Sequence, residues 1–461
     1  MDRVLDRLSP HLSPIKPLNI AVIGSGISGM SAAWLLSQRH NVTVYERDGR
    51  LGGHTNTIDV ELNGIQHNVD TGFIVYNERN YPNLTALFRH LDVETRPTDM
   101  SFGVSLDGGR LEYGSVGLRG LFAQYRNVVS PRFWSMMRDL VRFYREAPAF
   151  VGDGEAISLG GYLERHGYGR AFRDDHLLPM AAAIWSAPAH ELLDYPAEAF
   201  IRFCDNHGLL ELADRPQWRT VVGGSRSYIA KLTALYGERV RLHSGIKNIV
   251  RMADGVRITD MTDRTETFDH VVIATHANQA LAMLDDASPR ERDLLSVFRY
   301  ERNFAILHTD LALMPRRRRA WSSWNYLGRR DDASNEKLCV TYWMNKLQGI
   351  VSERELLVTL NPAVAPRADT VLHSETYEHP IFDGATSAAQ KLLWSLQGTN
   401  RTWFCGAYFG AGFHEDGLQA GLAVAEALGE VRRPWTVANE SGRIVIDDTL
   451  RVPPFVAVQA A

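Results

Sequence analysis

Cysteine is scarce in this chain, with three residues in 461. Cys204, Cys339 and Cys405 show no metal-ligand spacing, and an odd, sparse set excludes a disulfide framework and favours a reducing, cytoplasmic setting. Long apolar runs are also missing. None reaches the roughly 18 residues that span a bilayer, and the opening "MDRVLDRLSPHLSPIKP" has no continuous apolar stretch of the signal-peptide kind, so residues 1–16 read as a loose arm. Excess charge of either sign is absent: 50 Lys and Arg stand against 54 Asp and Glu, which argues against nucleic acid as a partner. There is no internal repeat and no low-complexity linker.

What is present is a chain long enough for two or three domains, 45% hydrophobic and 10% aromatic, the composition of a globular enzyme with a large core. Its sharpest local signal is "NIAVIGSGISGMSAAWLL", Asn19 to Leu36. A β-branched apolar run ends in Gly24-Ser25-Gly26-Ile27-Ser28-Gly29, and helical spacing follows. Gly24 suits the tight turn, Gly26 lets a pyrophosphate approach the backbone, and Gly29 lets helix and strand pack closely. The helix N-terminus, beginning at Ile27 and Ser28, then faces the phosphates. A second strand, "NVTVYE", ends at Glu46, about 20 residues on, where an acid accepts hydrogen bonds from a ribose hydroxyl and repels the 2′-phosphate of NADP.

Glu46 runs into "RDGRLGGHTNT", so Arg50, Gly52 and Gly53 form a second glycine-bearing turn, followed by His54. This E-x3-R-x-G-G arrangement resembles the flavoprotein superfamily of monoamine and polyamine oxidases, phytoene desaturases and protoporphyrinogen oxidase. Two further stretches extend the resemblance: "VDTGFIVYN", with Thr71 and Gly72, and "TWFCGAYFGAGFHEDGLQAGLAVAEAL" near the C-terminus, with Gly406, Tyr408, His414 and Glu415. The resemblance implies non-covalent FAD, with the second turn over its pyrophosphate, backbone near Ile246 at the adenine, and Glu415 as a cofactor contact. It also implies an α/β fold: a Rossmann-type FAD-binding domain from residues 17–80, 217–285 and 395–432, an inserted α+β substrate domain from 81–216 and 286–394, and a C-terminal extension over 433–461.

"LLPMAAAIWSAP", "TYWMNKLQGI" and "GFHEDG" narrow the resemblance to bacterial FAD-dependent oxidoreductases associated with cyclopropane-fatty-acid synthases, and to the N-terminal flavin domain of plant cyclopropane synthases. That implies an unsaturated or methylated acyl-lipid substrate oxidised by hydride transfer to flavin, and a lipid methyltransferase as partner. The alternatives are an amine oxidase or isoprenoid desaturase of the same fold, and a flavin-binding partner of a methyltransferase that turns nothing over. Departures from amine oxidases matter here. The strand "ERNFAILHTD" has no lysine, and the place of their N5-water lysine falls near Asn303 or Phe304. His54 replaces a frequent Arg, and Ala407 replaces an acid.

For proton handling the candidates are His414 and Tyr408. A histidine at a helix N-terminus stays neutral and can relay a proton; the plainer alternative is that His414 and Glu415 only hydrogen-bond the loop. Trp185, Tyr342 and Trp343 read as channel lining or as core. Phe133, Met136, Met137, Leu140 and Tyr144 recur at helical spacing while Arg132, Arg138, Arg142 and Arg145 supply positive charge, which reads as a core helix with a solvated face or as a lipid-facing surface. Arg316, Arg317, Arg318 and Arg319 beside Trp321 and Trp324 form a second patch suited to peripheral contact with an anionic membrane. No metal is expected.

Overall fold

The computed structural model describes residues 16–447 apart from 154, 156, 186–190, 207, 212–214 and 329–338. The arm expected over 1–16 therefore lies outside the described residues, except for Lys16.

The β-branched runs of the first and second strands form the centre of a five-stranded parallel sheet. Asn19–Ile23 lies between Asn41–Tyr45 and His270–Ile273, with Thr402–Phe404 beyond one side and Val240–Arg241 beyond the other. Such a sheet must be covered on its faces. The covering helix Ile27–Leu36 is buried along all ten residues, which explains why its sequence is apolar all round rather than striped. On its outer side lies the helix His414–Gly429. Gly421 makes that crossing close, since any side chain there would run into the Ser28 carbonyl.

A small antiparallel sheet, Ile246–Arg251, Val256–Asp260 and Thr265–Phe268, follows the expected Asp254-Gly255 turn. The other half of the molecule is organised by a seven-stranded sheet in the order Val371–Ile381, Arg299–His308, Leu357–Leu360, Cys339–Trp343, Trp324–Gly328, Phe102–Leu106, Leu111–Gly114. Only the pairing of Trp324–Gly328 with Phe102–Leu106 is parallel. The hairpin at the far margin turns through Asp107, Gly108 and Gly109, all at positive φ.

The amphipathic stretch is the helix Pro131–Glu146, with Phe133, Met136, Leu140 and Tyr144 buried. Three of its arginines face acids: Arg132 pairs with buried Asp175 at 2.7 Å, while Arg138 and Arg142 approach buried Asp139. In the Arg316 to Arg319 stretch, Arg317 pairs with buried Glu112, and Arg318 pairs with Glu355 and covers the Trp321 ring at 4.5 Å. Trp321 is buried with its indole N–H donated to Pro315 O, so it does not stand at the surface as its sequence setting suggests.

The described part of the C-terminal segment packs back onto the half built on the parallel sheet. Trp435 stacks on Trp34 at 5.8 Å, Arg433 engages Glu426 and Asn83, and Arg443 pairs with Asp416 at 2.5 Å.

Candidate active site

The first glycine turn is built as its spacing requires. Gly24 sits at φ 96°, a conformation that side-chain-bearing residues avoid, and a Cβ there would stand 2.8 Å from Ala274 O. At Gly26 the opposite holds: a Cβ would meet nothing within 4 Å. The turn is therefore open there, as a cradle for a bulky anion must be. The helix that follows has no acid in its first turn, so its positive end is unopposed.

The second turn is clamped to the first. Gly52 N donates to Ser25 O at 3.0 Å, and a Cβ on Gly53 would lie 3.2 Å from Gly26 Cα. Arg50 donates to Gly53 O at 2.8 Å and lies 3.8 Å from Glu375, bracing that turn. Glu46 accepts from Ser25 N at 3.0 Å, Ser25 Oγ at 2.6 Å and Asp48 N at 2.9 Å. Its carboxylate is oriented and half-buried, with acceptor capacity left for a ribose hydroxyl. Ser244 N donates to Glu46 O at 2.7 Å, which brings the strand beginning at Ile246 to the same end of the sheet.

Thr71 and Gly72 run against the second turn. Phe73 N donates to His54 O at 2.7 Å, and Thr71 N to Asn56 O at 2.9 Å. The Thr71 hydroxyl is buried 2.7 Å from the Tyr377 hydroxyl, which also receives Asn56 Nδ2 at 3.0 Å. Tyr377 belongs to the margin strand Val371–Ile381, so this trio joins the two halves beside the cofactor turn. His379, two residues on, presents the same face. Its ring lies 5.3 Å from that of His54, and Tyr377 lies 5.1 Å from His54.

Asn303 stands opposite Tyr377 in the neighbouring strand. Its Nδ2 contacts His379 Nδ1 at 3.0 Å, and its Oδ1 accepts from Asn361 at 2.7 Å. With the amide oriented this way, His379 Nδ1 accepts and its proton sits on Nε2. His276 stacks on Tyr300 at 4.2 Å, and its Nδ1 lies 3.4 Å from Glu378. Burial holds all three imidazoles neutral. It pulls His54 well below the ordinary histidine range, aided by the neighbouring histidines and Arg50. His379 is pulled down to about 4 by burial and then by His276; burial lowers His276 too, against the upward pull of Glu378. Among the described residues no group of three or more His, Cys, Asp or Glu is arranged to hold a metal ion.

His414 opens its helix and stacks on Phe73 with ring centroids 3.8 Å apart. Its Nε2 lies 2.7 Å from the Tyr228 hydroxyl, itself 2.5 Å from Thr55 Oγ1 in the second turn. Burial pulls its pKa down to about 3. The expected neutrality is there, but desolvation rather than the helix end causes it, and so weakly basic a group links the helix to the turn better than it accepts protons.

Tyr408 is buried among Phe298 and Phe409, and its hydroxyl has no hydrogen-bond partner among the described residues. Gly406 beside it is extended; a Cβ there would meet the Tyr408 ring. Glu415 is not free for a cofactor. Its two oxygens accept from Asn83 N, Leu84 N, Asn83 Nδ2 and Gln419 Nε2, all within 3.0 Å. It closes the N-terminus of the helix Pro82–His90, because the free backbone N–H groups of Asn83 and Leu84 at that end need an acceptor out of reach of water.

Several site residues went unread in the sequence. Tyr377 and His379 were visible as alternate positions of "TYEHP", a period-two signal; Tyr228 carried none. Asp70, in "VDTGF", also escaped. It is fully buried, accepts from Thr57 Oγ1, Ser225 N, Ser225 Oγ and Gln348 Nε2, and burial pushes it up to about 6.

The open cradle at Gly26, the oriented Glu46 and the orphaned buried His54 Nε2 fit a dinucleotide carrying a polar ring system next to the second turn. Fold and site together define a flavoprotein with a parallel-sheet dinucleotide domain. The sequence model of the family described as flavin containing amine oxidoreductase matches residues 27–301, more than half of the chain, and the protein belongs to that family, with FAD as its cofactor. It is 36% identical to a carotenoid phi-ring synthase of Streptomyces griseus over 135 residues, 27% of this chain and 24% of that protein. Across the curated relatives it matches, the chain spans less than two-thirds of their length. Among solved structures, wild-type putrescine oxidase bound to putrescine superposes with a TM-score of 0.63 at 14% identity, covering 89% of this chain and 98% of that one. A fatty acid isomerase from P. acnes superposes at 0.56 and 16% identity, covering 88% and 97%. At these identities the likeness shows the fold.

Proposed function

We propose that the protein is an FAD-dependent oxidoreductase that takes a hydride from an apolar acyl chain. The observation that carries this reading is the wall beside the second glycine turn. Where the strand Arg299–His308 lacks lysine, Asn303 backs His379, and His379, His54, His276 and Tyr377 together present uncharged groups at neutral pH. Such a lining favours an apolar chain over a charged headgroup. FAD, when bound, supplies the two-electron acceptor. The chain's own residues do the rest. Glu46, Gly26, Gly53 and Arg50 hold and orient the cofactor. Asn303 fixes the His379 tautomer, so that Nε2–H is free to donate, while His54 Nε2 has no partner among the described residues and is open to a ligand. His414, Tyr228 and Thr55 lock the carboxy-terminal helix to the turn. The cysteines are all buried thiols, which agrees with FAD held without a covalent bond.

A second reading is amine oxidation. Glu378 beside His276, and Glu375 beside Arg50, offer carboxylates to an ammonium group, and putrescine oxidase shares the fold. A third is the non-catalytic partner of a lipid methyltransferase. Anaerobic stopped-flow reduction of bound FAD separates them: unsaturated or methylated acyl lipids are expected to bleach the flavin. Bleaching by amines alone selects the second reading, and no bleaching by either selects the third. His379→Ala is expected to retain FAD and to slow acyl-driven reduction roughly 10²-fold, the lower range for acid–base assistance.

A further inference from the structure

The far margin of the seven-stranded sheet carries a surface that the candidate active site does not use. Between Tyr113 and Arg138 the sequence holds Arg119, Arg126, Arg132 and Arg138 and no Asp or Glu. The same stretch exposes Val116, Leu118, Tyr125, Val128, Val129 and Trp134, with Leu118 at 74%, Val129 at 79% and Trp134 at 50%. They come from the short helix Gly117–Leu121, the turn Tyr125–Val129 and the first residues of the helix Pro131–Glu146.

Contacts tie these three segments together. Trp134 donates its indole N–H to Val128 O at 2.7 Å and packs its ring 5.9 Å from Phe122. Arg319 donates to the Tyr125 hydroxyl at 2.6 Å and lies over its ring, which joins the arginine run to the apolar one. Of the arginines at this margin, Arg132, Arg138, Arg317 and Arg318 are committed to carboxylates. Arg119, Arg126 and Arg316 are exposed without a carboxylate partner among the described residues.

We infer that this margin is a docking surface for an anionic lipid bilayer, with Leu118, Val128, Val129 and Trp134 entering the interface and Arg119, Arg126, Arg316 and Arg319 at the headgroups. Clustered exposed apolar side chains ringed by cations of one sign match that chemistry, and a soluble protein surface rarely keeps such a patch uncovered. Trp134 can leave water without losing a hydrogen bond, because its N–H is already satisfied by the chain itself. The patch differs from the one the sequence suggests, since Trp321 is buried and Arg317 and Arg318 are each paired with a carboxylate. It stands independent of the substrate reading.

The experiment is co-sedimentation of the FAD-loaded protein with phosphatidylcholine vesicles and with mixed phosphatidylcholine–phosphatidylglycerol vesicles. Binding to the mixed vesicles alone, released by high salt, is expected. Leu118→Ser with Val129→Ser is expected to abolish it, and Arg119→Gln and Arg126→Gln to weaken it about five-fold each, the equivalent of about 1 kcal/mol per cation near an anionic surface. The flavin spectrum should not change in any variant, which separates lost docking from lost folding. Wild-type protein left in the supernatant with mixed vesicles, or variants that sediment as well as wild type, overturns the inference. Concentration-dependent self-association that the same variants dissolve, without vesicle binding, assigns the patch to a second copy of the chain instead.

Discussion

The two margins of the seven-stranded sheet lie on the order of 30 Å apart at ordinary strand spacing, and they treat polar groups in opposite ways. At the margin strand Val371–Ile381, Tyr377 and His379 are drawn against the cofactor turn, desolvated and held neutral. At the hairpin Phe102–Gly114 and the loops beyond it, arginines stay in water around uncovered apolar side chains. One sheet therefore supplies a tightly interlocked wall on one side and a loosely committed surface on the other. Perturbation should be costly at the first and nearly silent for folding at the second.

The largest effect is expected at the cradle itself. Gly26→Val fills open space rather than a packed one, so the protein should fold as before but lose FAD affinity by about 10³-fold or more, roughly 4 kcal/mol. Equilibrium titration of apo-protein with FAD measures it; near-normal affinity would remove Gly26 from the cofactor site. Glu415→Ala comes next, because it strands buried donors at Asn83 and Leu84. A loss of about 3 kcal/mol in stability is expected, with the folded fraction still binding FAD in titration. Selective loss of FAD at unchanged melting temperature would restore Glu415 as a cofactor contact.

Asp70 tests whether the interlocked side depends on pH. Its folded pKa of about 6 stands above the ordinary value of 3.8, so its contribution to stability is fully present below about pH 4 and is lost as pH rises through about 6. That loss is on the order of 2 to 3 kcal/mol. Melting temperatures of wild type and Asp70→Asn across this range should differ in slope, and parallel curves would show that the four donors around Asp70 outweigh its burial. The smallest effect is expected at the far margin. Leu118→Ser and Val129→Ser should shift stability by less than about 0.5 kcal/mol and leave substrate-driven flavin reduction unchanged; a large change in either would mean the two margins are coupled.

Much of the cofactor side was legible because its requirements are local. A tight turn needs glycine at Gly24, and a ribose acid must end the second strand; each constraint is met within a few residues of chain. The assignments that moved, Glu415 and Trp321, sit beside correct motifs, and the partners of Glu415 are far away in sequence. Glu415 meets Asn83 across 332 residues, and His414 meets Tyr228 across 186. No spacing rule reports such a meeting.

The sequence alone determined the parallel dinucleotide sheet, the two glycine turns and the acid between them, since backbone conformation and strand burial follow from neighbouring residues. Tertiary structure alone decided which polar side chains reach the cofactor turn and which are used up holding helices together. It also decided which arginines keep their charge in water. Those outcomes depend on desolvation and on long-range partners, and both exist only once separate segments have packed.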